Sequence, residues 1–323
     1  MTDLPLVSIV TPSYQQAAYL EHTLRSVLEQ DYPRIEYWVI DGGSTDGSVE
    51  IIQKYADRLA GWVSERDSGQ AEAINKGFAR ATGEIVAWLN SDDAYLPGAV
   101  ASAVRALQAD PDLALVYGDV RSIDGDGRLI NVMRYDDWDL ADLMSFHILG
   151  QPGVFMRRSA LEKAGGLDPS YHLLLDHHLW LRVASHGGMR YVREEWAEAR
   201  FHPQAKNVAQ AARFGEEAYR IARWLEQDPR LDDPYGMNRR KLWAGAHRIN
   251  ARYLLDGGQP REALRAYGRG LAAHAPTVLP EWHRMVYGVL SMIGLGRLGG
   301  VYRGVRRRLM LAGRAREKGT GND

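Results

Sequence analysis

Asn90-Ser91-Asp92-Asp93 sets two adjacent carboxylates behind residues 84–89, a short run rich in β-branched and aromatic side chains that predicts a buried strand leaving Gly83. Like charges side by side repel, and such a pair is best tolerated where a cation or solvent compensates it. A hard divalent ion, Mn2+ or Mg2+, takes oxygen ligands and keeps waters and substrate phosphates in its shell, so one or two protein carboxylates suffice to hold it. Taken alone, the same turn also fits a helix start, with Asp93 capping a helix that begins near Pro97. A further acid, Asp41, closes the strand-like run 35–40 and opens Asp41-Gly-Gly-Ser-Thr-Asp-Gly-Ser48. Another, Asp176, opens a segment whose Leu179, Trp180 and Val183 make one helical face, which puts its carboxylate at the N-terminal end of a buried helix, where it could act as a cap.

The surrounding elements decide whether these acids can meet. Residues 6–10 predict a first strand, ended by Thr11-Pro12-Ser13-Tyr14; residues 17–29 carry Leu20, Leu24, Val27 and Leu28 at helical spacing. A second strand covers 35–40, a helix 49–59, a short strand 62–63, a helix 70–81 and a further strand 85–89. Strands alternating with helices of about ten residues predict an α/β fold with a mostly parallel central sheet, whose ligands bind at the carboxyl ends of the strands. The polar loops 11–14, 41–48 and 90–93 are then expected to share one crevice. A dinucleotide site needs Gly-x-Gly-x-x-Gly after the first strand, where this chain has Thr-Pro-Ser-Tyr, and no phosphate-binding P-loop occurs. Gly42-Gly43 instead follows Asp41, whose charge repels phosphate and suits hydrogen bonds from a base or ribose.

In order and spacing, the chain resembles the family 2 glycosyltransferases of the GT-A fold. The matching segments are Val7-Ser-Ile-Val-Thr-Pro-Ser-Tyr14, Val39-Ile-Asp-Gly-Gly-Ser-Thr-Asp-Gly-Ser48, Ser64-Glu-Arg-Asp-Ser-Gly-Gln70, Ala73-Ile-Asn-Lys-Gly77 and Trp88-Leu-Asn-Ser-Asp-Asp93. Gly150-Gln-Pro-Gly-Val-Phe155, Gly165-Gly-Leu-Asp168 and Leu175-Asp-His-His-Leu-Trp-Leu-Arg182 extend the likeness, so that it spans roughly residues 6–206. The resemblance implies an inverting enzyme that uses a UDP-, GDP- or dTDP-linked sugar and a divalent metal. It implies that Thr11, Pro12 and Tyr14 pack on the nucleobase, that Asp41 bonds its edge, and that Asp67 and the segment Gln70 to Asn75 close over base and ribose. By the same likeness Asp92 faces ribose or sugar, Asp93 holds the metal and Asp176 is the general base. His202 is expected near the metal and Lys206 near the diphosphate. Asn90 stands where the family usually has an acid, and Leu175 where an acid often precedes the base.

Between these motifs, residues 113–120 and 129–133 predict a hairpin around Asp124-Gly-Asp-Gly127. From about residue 207 helical patterns dominate, at 208–225, 242–255 and 261–273, so that 1–206 is the expected catalytic domain and 207–323 a helical region. Its helix-turn-helix around Asp256-Gly-Gly-Gln-Pro260 resembles one tetratricopeptide-like unit, with Ala263, Leu264 and Tyr267 as packing positions. The tail is basic, with eight Lys or Arg and one acid between Arg297 and Lys318, and Leu298, Val301, Tyr302, Val305 and Leu309 make one apolar stripe. That pattern suits an anionic membrane surface; no nucleic-acid module accompanies it.

At 323 residues with 45% hydrophobic and 25% charged side chains, the composition is that of a soluble globular protein. Absence of cysteine excludes disulfides and thiolate chemistry. The N-terminus lacks the basic region of a signal peptide, and no apolar stretch reaches the ~18 residues of a spanning helix, so a cytoplasmic enzyme is expected, peripheral on the inner face of the cell membrane. The expected function is transfer of a sugar to a hydroxyl of a glycan or lipid-linked acceptor in cell-surface polysaccharide synthesis. The alternatives are a catalytically silent sugar-nucleotide or carbohydrate-binding scaffold, and a nucleotidyltransferase on a related fold.

Overall fold

A computed structural model describes residues 4–202, 210–229 and 238–295. Two compact units divide the chain, one made of Met1–Gly127, Val132–Leu143 and His147–Phe201, the other of Arg128–Asn131, Met144–Phe146 and His202–Asp323.

The chain runs β1 (Val7–Ser13), α1 (Ala17–Leu28), β2 (Ile35–Asp41), α2 (Ser48–Lys54), β3 (Gly61–Ser64), α3 (Gln70–Phe78), β4 (Ile85–Trp88), β5 (Ala94–Tyr95), α4 (Ala99–Gln108) and β6 (Leu113–Asp124). It continues through β7 (Leu129–Met133), α5 (Leu140–Met144), β8 (Val154–Arg157), α6 (Arg158–Ala164), α7 (Leu175–Val183) and β9 (Gly188–Phe201). The nine-stranded sheet has the order β3-β2-β1-β4-β8-β6-β9-β5, with β7 pairing β6 off this path.

Every residue of β1 is buried, the polar Ser8, Thr11 and Ser13 included, which suits a central strand covered on both faces. Pro12 lies past Val10, the last residue of β1 paired with β4, so the donor it lacks is not required on that side. Because β1 runs parallel to both β2 and β4, the carboxyl ends of all three reach one edge of the sheet. Asp41 is level with Ser13, and Trp88, two residues before Asn90, is level with Val10. The sheet thereby brings the loops 11–14, 41–48 and 90–93 to a common edge. Helix α1 buries Leu20, Leu24 and Val27 as its spacing predicts. Beyond β4 the sheet turns mixed: β8 is antiparallel to both β4 and β6, β9 is parallel to β6, and β5 is antiparallel to β9.

Among the described residues, the helices that follow in the second unit are α8 (Phe214–Leu225), α9 (Arg239–Asp256), α10 (Pro260–Val278) and α11 (Trp282–Met292). Asp256 to Pro260 breaks α9 from α10 as expected, and α10 kinks at His274, ahead of Pro276. Ala263 and Tyr267 are buried. Glu281 is buried between the guanidinium of Arg252 and the hydroxyl of Tyr267, which donates at 2.7 Å, so the turn into α11 is fixed by a charge-assisted network. Among the described residues no helix is long and apolar enough to cross a membrane. Lys206 and the basic stripe beyond Arg297 lie outside the described residues.

Candidate active site

Asp93 is buried, and three groups hold it: the Arg200 backbone N–H donates to Oδ1 at 2.9 Å, the Asn90 amide to Oδ2 at 3.2 Å, and the Thr23 hydroxyl to its carbonyl at 2.6 Å. It does not cap α4, whose N-cap is Gly98. Burial first, and then the charge of Asp92, hold the Asp93 carboxyl well above the usual carboxylate range, against the pull of the Arg200 N–H and the Asn90 amide. Each carboxylate oxygen has a second lone pair beyond the hydrogen bond it accepts. Hard oxygen donors that disfavour their own ionisation fit a divalent cation whose remaining ligands are water and diphosphate oxygens. Among the described residues, no group of three His, Asp or Glu side chains suits a metal ion.

Asn90 has a structural reason to be an amide. Its Nδ2 also donates to Gln151 Oε1 at 3.0 Å, and its Oδ1 accepts from Gln70 Nε2 at 2.7 Å, a combination that a carboxylate cannot make. Gln151 in turn donates to the Trp88 carbonyl at 2.8 Å, tying the turn to the end of β4. Arg200 completes the support: its Nε donates to the Asp92 carbonyl at 3.1 Å, an Nη to the carbonyls of Asp124 and Gly125 at 3.2 Å each, and its guanidinium lies 4.8 Å from the Tyr19 ring centre. Thr23, Gln151 and Arg200 were not among the residues that the sequence singled out by role. Gln151 lies within one of the motifs, and Arg200 lies two residues before His202.

On the other flank of β1, Asp41 is fully buried. Its Oδ2 accepts from the N–H groups of Gly43 (3.0 Å) and Ser44 (2.8 Å) and the Ser64 hydroxyl (2.7 Å), and its Oδ1 from the Ser44 hydroxyl (2.6 Å). The carboxylate therefore shapes the loop between β2 and α2 and joins it to β3. Gly42 lies beneath a small cradle: a Cβ there would stand 2.8 Å from Asp67 Oδ2 and 3.2 Å from the Tyr14 ring. Tyr14 is 62% exposed, and Asp67 accepts from the Gly69 N–H at 2.9 Å, so a flat exposed ring and a carboxylate border one glycine. Thr11 is buried with its hydroxyl 2.8 Å from that of Tyr37, and Pro12 is buried in β1. The structure does not bring Asn75 to this cradle; its amide bonds the carbonyl (2.8 Å) and N–H (2.9 Å) of Leu167.

Asp176 lies in the first turn of α7, where a carboxylate is favoured by the helix dipole, but it is not the cap, which is Leu174. Its Oδ1 accepts from the His177 N–H at 2.7 Å. From Leu173 to Leu181 every residue is buried except Asp176. Trp180, one turn on and therefore on the same helical face, stacks on Trp88 with ring centres 4.9 Å apart. The charge of Asp176 also reaches the Tyr135 phenol, whose oxygen accepts from the Gly150 N–H at 2.8 Å, next to Gln151. The helix that carries the proposed base is thus locked to the strand that leads into the Asn90 turn. His202 is buried and belongs to the second unit.

Next to Asp176, His177 is fully buried, and burial, reinforced by His178, pushes its imidazole down to about 3. A base depressed from 6.5 in the unfolded chain contributes stability above pH 6.5 that is lost as pH falls from there toward 3. The native protein is expected to lose about 3–5 kcal/mol from this group across that window. Urea unfolding as a function of pH should show a flatter acid limb for His177→Gln; an unchanged limb would place the acid sensitivity elsewhere.

Residues 8–165 match the family described as glycosyl transferase family 2. An uncharacterized glycosyltransferase of Mycobacterium tuberculosis is 33% identical over 190 residues, which cover 57% of this chain and 71% of that protein. The O-antigen biosynthesis protein RfbC of Myxococcus xanthus is 31% identical over 185 residues, 56% of this chain but 14% of its own length. The mannosyltransferase PcManGT from Pyrobaculum calidifontis, solved in complex with GDP-Man and Mn2+, superposes with a TM-score of 0.60 at 23% identity, covering 91% of this chain and 88% of its own. The chain belongs to glycosyltransferase family 2. Its fold is GT-A, a mixed α/β sheet flanked by helices, with a helical region following it.

Proposed function

We propose that this protein is an inverting glycosyltransferase that moves a sugar from a nucleoside-diphosphate donor to a hydroxyl of a glycan or lipid-linked acceptor, in the synthesis of a cell-surface polysaccharide at the cytoplasmic face of the membrane. The observation that carries the reading is the Trp88–Trp180 stack, which fixes the one solvent-reaching residue of α7's N-terminal half, Asp176, relative to the Asn90–Asp93 turn. Residues 1–206 form the proposed catalytic domain. Tyr14 and Asp67, across Gly42, receive the nucleobase; Thr11, Pro12 and Asp41 act by holding the walls of that pocket, Gln70 by holding Asn90, and Asn75 by holding the Leu167 backbone. Asp92 faces the ribose or sugar. Asp93 would hold the metal; the metal role of His202 and the diphosphate role of Lys206 rest on the family resemblance alone. A Mn2+ or Mg2+ ion bound there supplies charge neutralisation for the departing diphosphate. Asp176 takes the proton from the acceptor hydroxyl as that oxygen attacks the anomeric carbon from the side opposite the leaving group, so one displacement inverts the centre without a covalent glycosyl-enzyme. The GDP-Man and Mn2+ bound by PcManGT and the O-antigen role in the name of RfbC support the donor class, the metal and the polysaccharide setting.

A thermal-shift panel of UDP-, GDP- and dTDP-sugars with and without Mn2+ tests this. One nucleotide class is expected to raise Tm with the metal and to be turned over when a hydroxyl acceptor is supplied. A panel in which no sugar nucleotide shifts Tm or releases its nucleotide defeats the proposal, and a shift without turnover identifies a silent binding scaffold. Gly42→Ala gives an independent reading of the base pocket. Its methyl must displace Asp67 or Tyr14, so nucleotide affinity by calorimetry is expected to fall about tenfold while the unfolding temperature barely changes. Parental affinity would place the base elsewhere.

A further inference from the structure

Helix α11 packs by one side only. Gly288 is buried against Leu264 and Leu255, with 3.2 and 3.6 Å from its Cβ position to their methyl carbons, and Met285 lies against the buried cluster of Ala244, Ala266 and Tyr267. On the face turned away stand Trp282, Val286, Val289 and Ile293, at i, i+4, i+7 and i+11, each 48–65% exposed, with Leu279 and Met292 beside them. Scattered exposed apolar side chains need no explanation, but a continuous ridge on one helix marks an interaction surface.

We infer that this ridge seats the protein on an anionic lipid surface. Charge selects that occupant. The helix itself carries no acid; Glu281, just before it, is buried on Arg252 and Tyr267, and Asp256 is paired with Arg284, which lies off the ridge. The sequence that follows holds eight Arg or Lys and a single acid between Arg297 and Lys318. A second copy docking ridge to ridge would bring two such cationic segments together, whereas an anionic bilayer interface attracts them and accepts the apolar side chains below its headgroups. Trp282, at the start of the ridge, is the residue type that favours this interface. The inference goes beyond the catalytic reading and does not depend on it.

Flotation of the full-length protein, without donor or metal, with vesicles of phosphatidylcholine alone or mixed with phosphatidylglycerol tests it. The native protein is expected to float with the mixed vesicles, less with phosphatidylcholine alone, and less as salt is raised. V286E/V289E is expected to lower the bound fraction about tenfold or more, by removing apolar contact and adding negative charge. Both positions are solvent-facing, so the variant should keep its unfolding temperature, and turnover on a soluble acceptor should be unchanged. Quenching of tryptophan emission by brominated lipid should fall in W282F, which reports the ridge directly. Failure of the native protein to bind mixed vesicles overturns the inference. So does binding that survives V286E/V289E, which would assign attachment to the basic segment alone. A dimer in light scattering that the same pair dissolves, with no vesicle binding, would give the ridge to a second copy and likewise overturn it. Since no outcome involves donor or metal, failure here leaves the catalytic proposal intact.

Discussion

Turnover of Asp176→Asn falls by about three orders of magnitude, while donor affinity stays within about twofold of the parent. The substitution keeps shape and keeps an oxygen able to accept the His177 N–H, but it removes the only function assigned to the carboxylate, taking a proton. The helix should survive. Its N-cap is Leu174, its buried face is untouched, and the Trp88–Trp180 stack that sets its position lies a full turn away. A general base that acts only in the transition state lowers kcat and kcat/KM together when lost, whereas a residue that merely shaped the donor pocket would raise KM. Product formation at saturating donor, nucleotide calorimetry and an unfolding curve on the same preparation separate these cases. A variant that retains more than about a tenth of parental turnover removes Asp176 from the role of base.

The parts of this molecule that could be read from sequence are those whose physics is local. The short β-branched and aromatic runs of β1, β2 and β4, the helical spacing of α1 and the polar turns at the strand ends follow from short-range pattern, and parallel pairing then brings the turns to one edge. By contrast β9 has no such pattern. Gly188 to Phe201 is rich in Arg and Glu and lacks β-branched runs, yet it forms a fourteen-residue strand. What makes it a strand is its neighbours. Trp196 and Ala197 are buried, Arg121 on β6 pairs with Glu195 and Glu198, and Arg190 pairs with Asp110. None of these partners is close in sequence. Similar distance hides Thr23 and Arg200, which hold Asp93 from 70 and 107 residues away. Side-chain type can also be read where side-chain vacancy cannot. Asp41 and Asn75 have the chemistry of ligand-binding groups, but whether their lone pairs are already engaged depends on Ser44, Ser64 and Leu167 as the fold places them.

Asp93→Asn abolishes the metal-dependent part of stabilisation by a nucleotide sugar, and the pH dependence of that loss distinguishes a buried metal ligand from an ordinary surface acid. At a hundredfold excess over Kd, donor with Mn2+ should stabilise the native protein by about 3 kcal/mol, a rise in Tm on the order of 5–10 °C. Burial and the charge of Asp92 raise the Asp93 carboxyl well above its ordinary 3.8. In the metal-free protein this group's contribution to stability is therefore complete below pH 3.8 and is lost as pH climbs through the raised value. A cation binds only the ionised form, so the stabilisation it brings must grow over the same interval and level off above it. The two trends run in opposite directions, and both originate in one carboxyl. The asparagine variant has no proton to exchange at this position, so its response to Mn2+ should be small and flat with pH while any metal-independent nucleotide shift persists. A Mn2+-dependent shift of parental size in Asp93→Asn would take Asp93 out of the metal site, and a parental shift that does not vary with pH would mean that the ion is held by groups already ionised at the sheet edge.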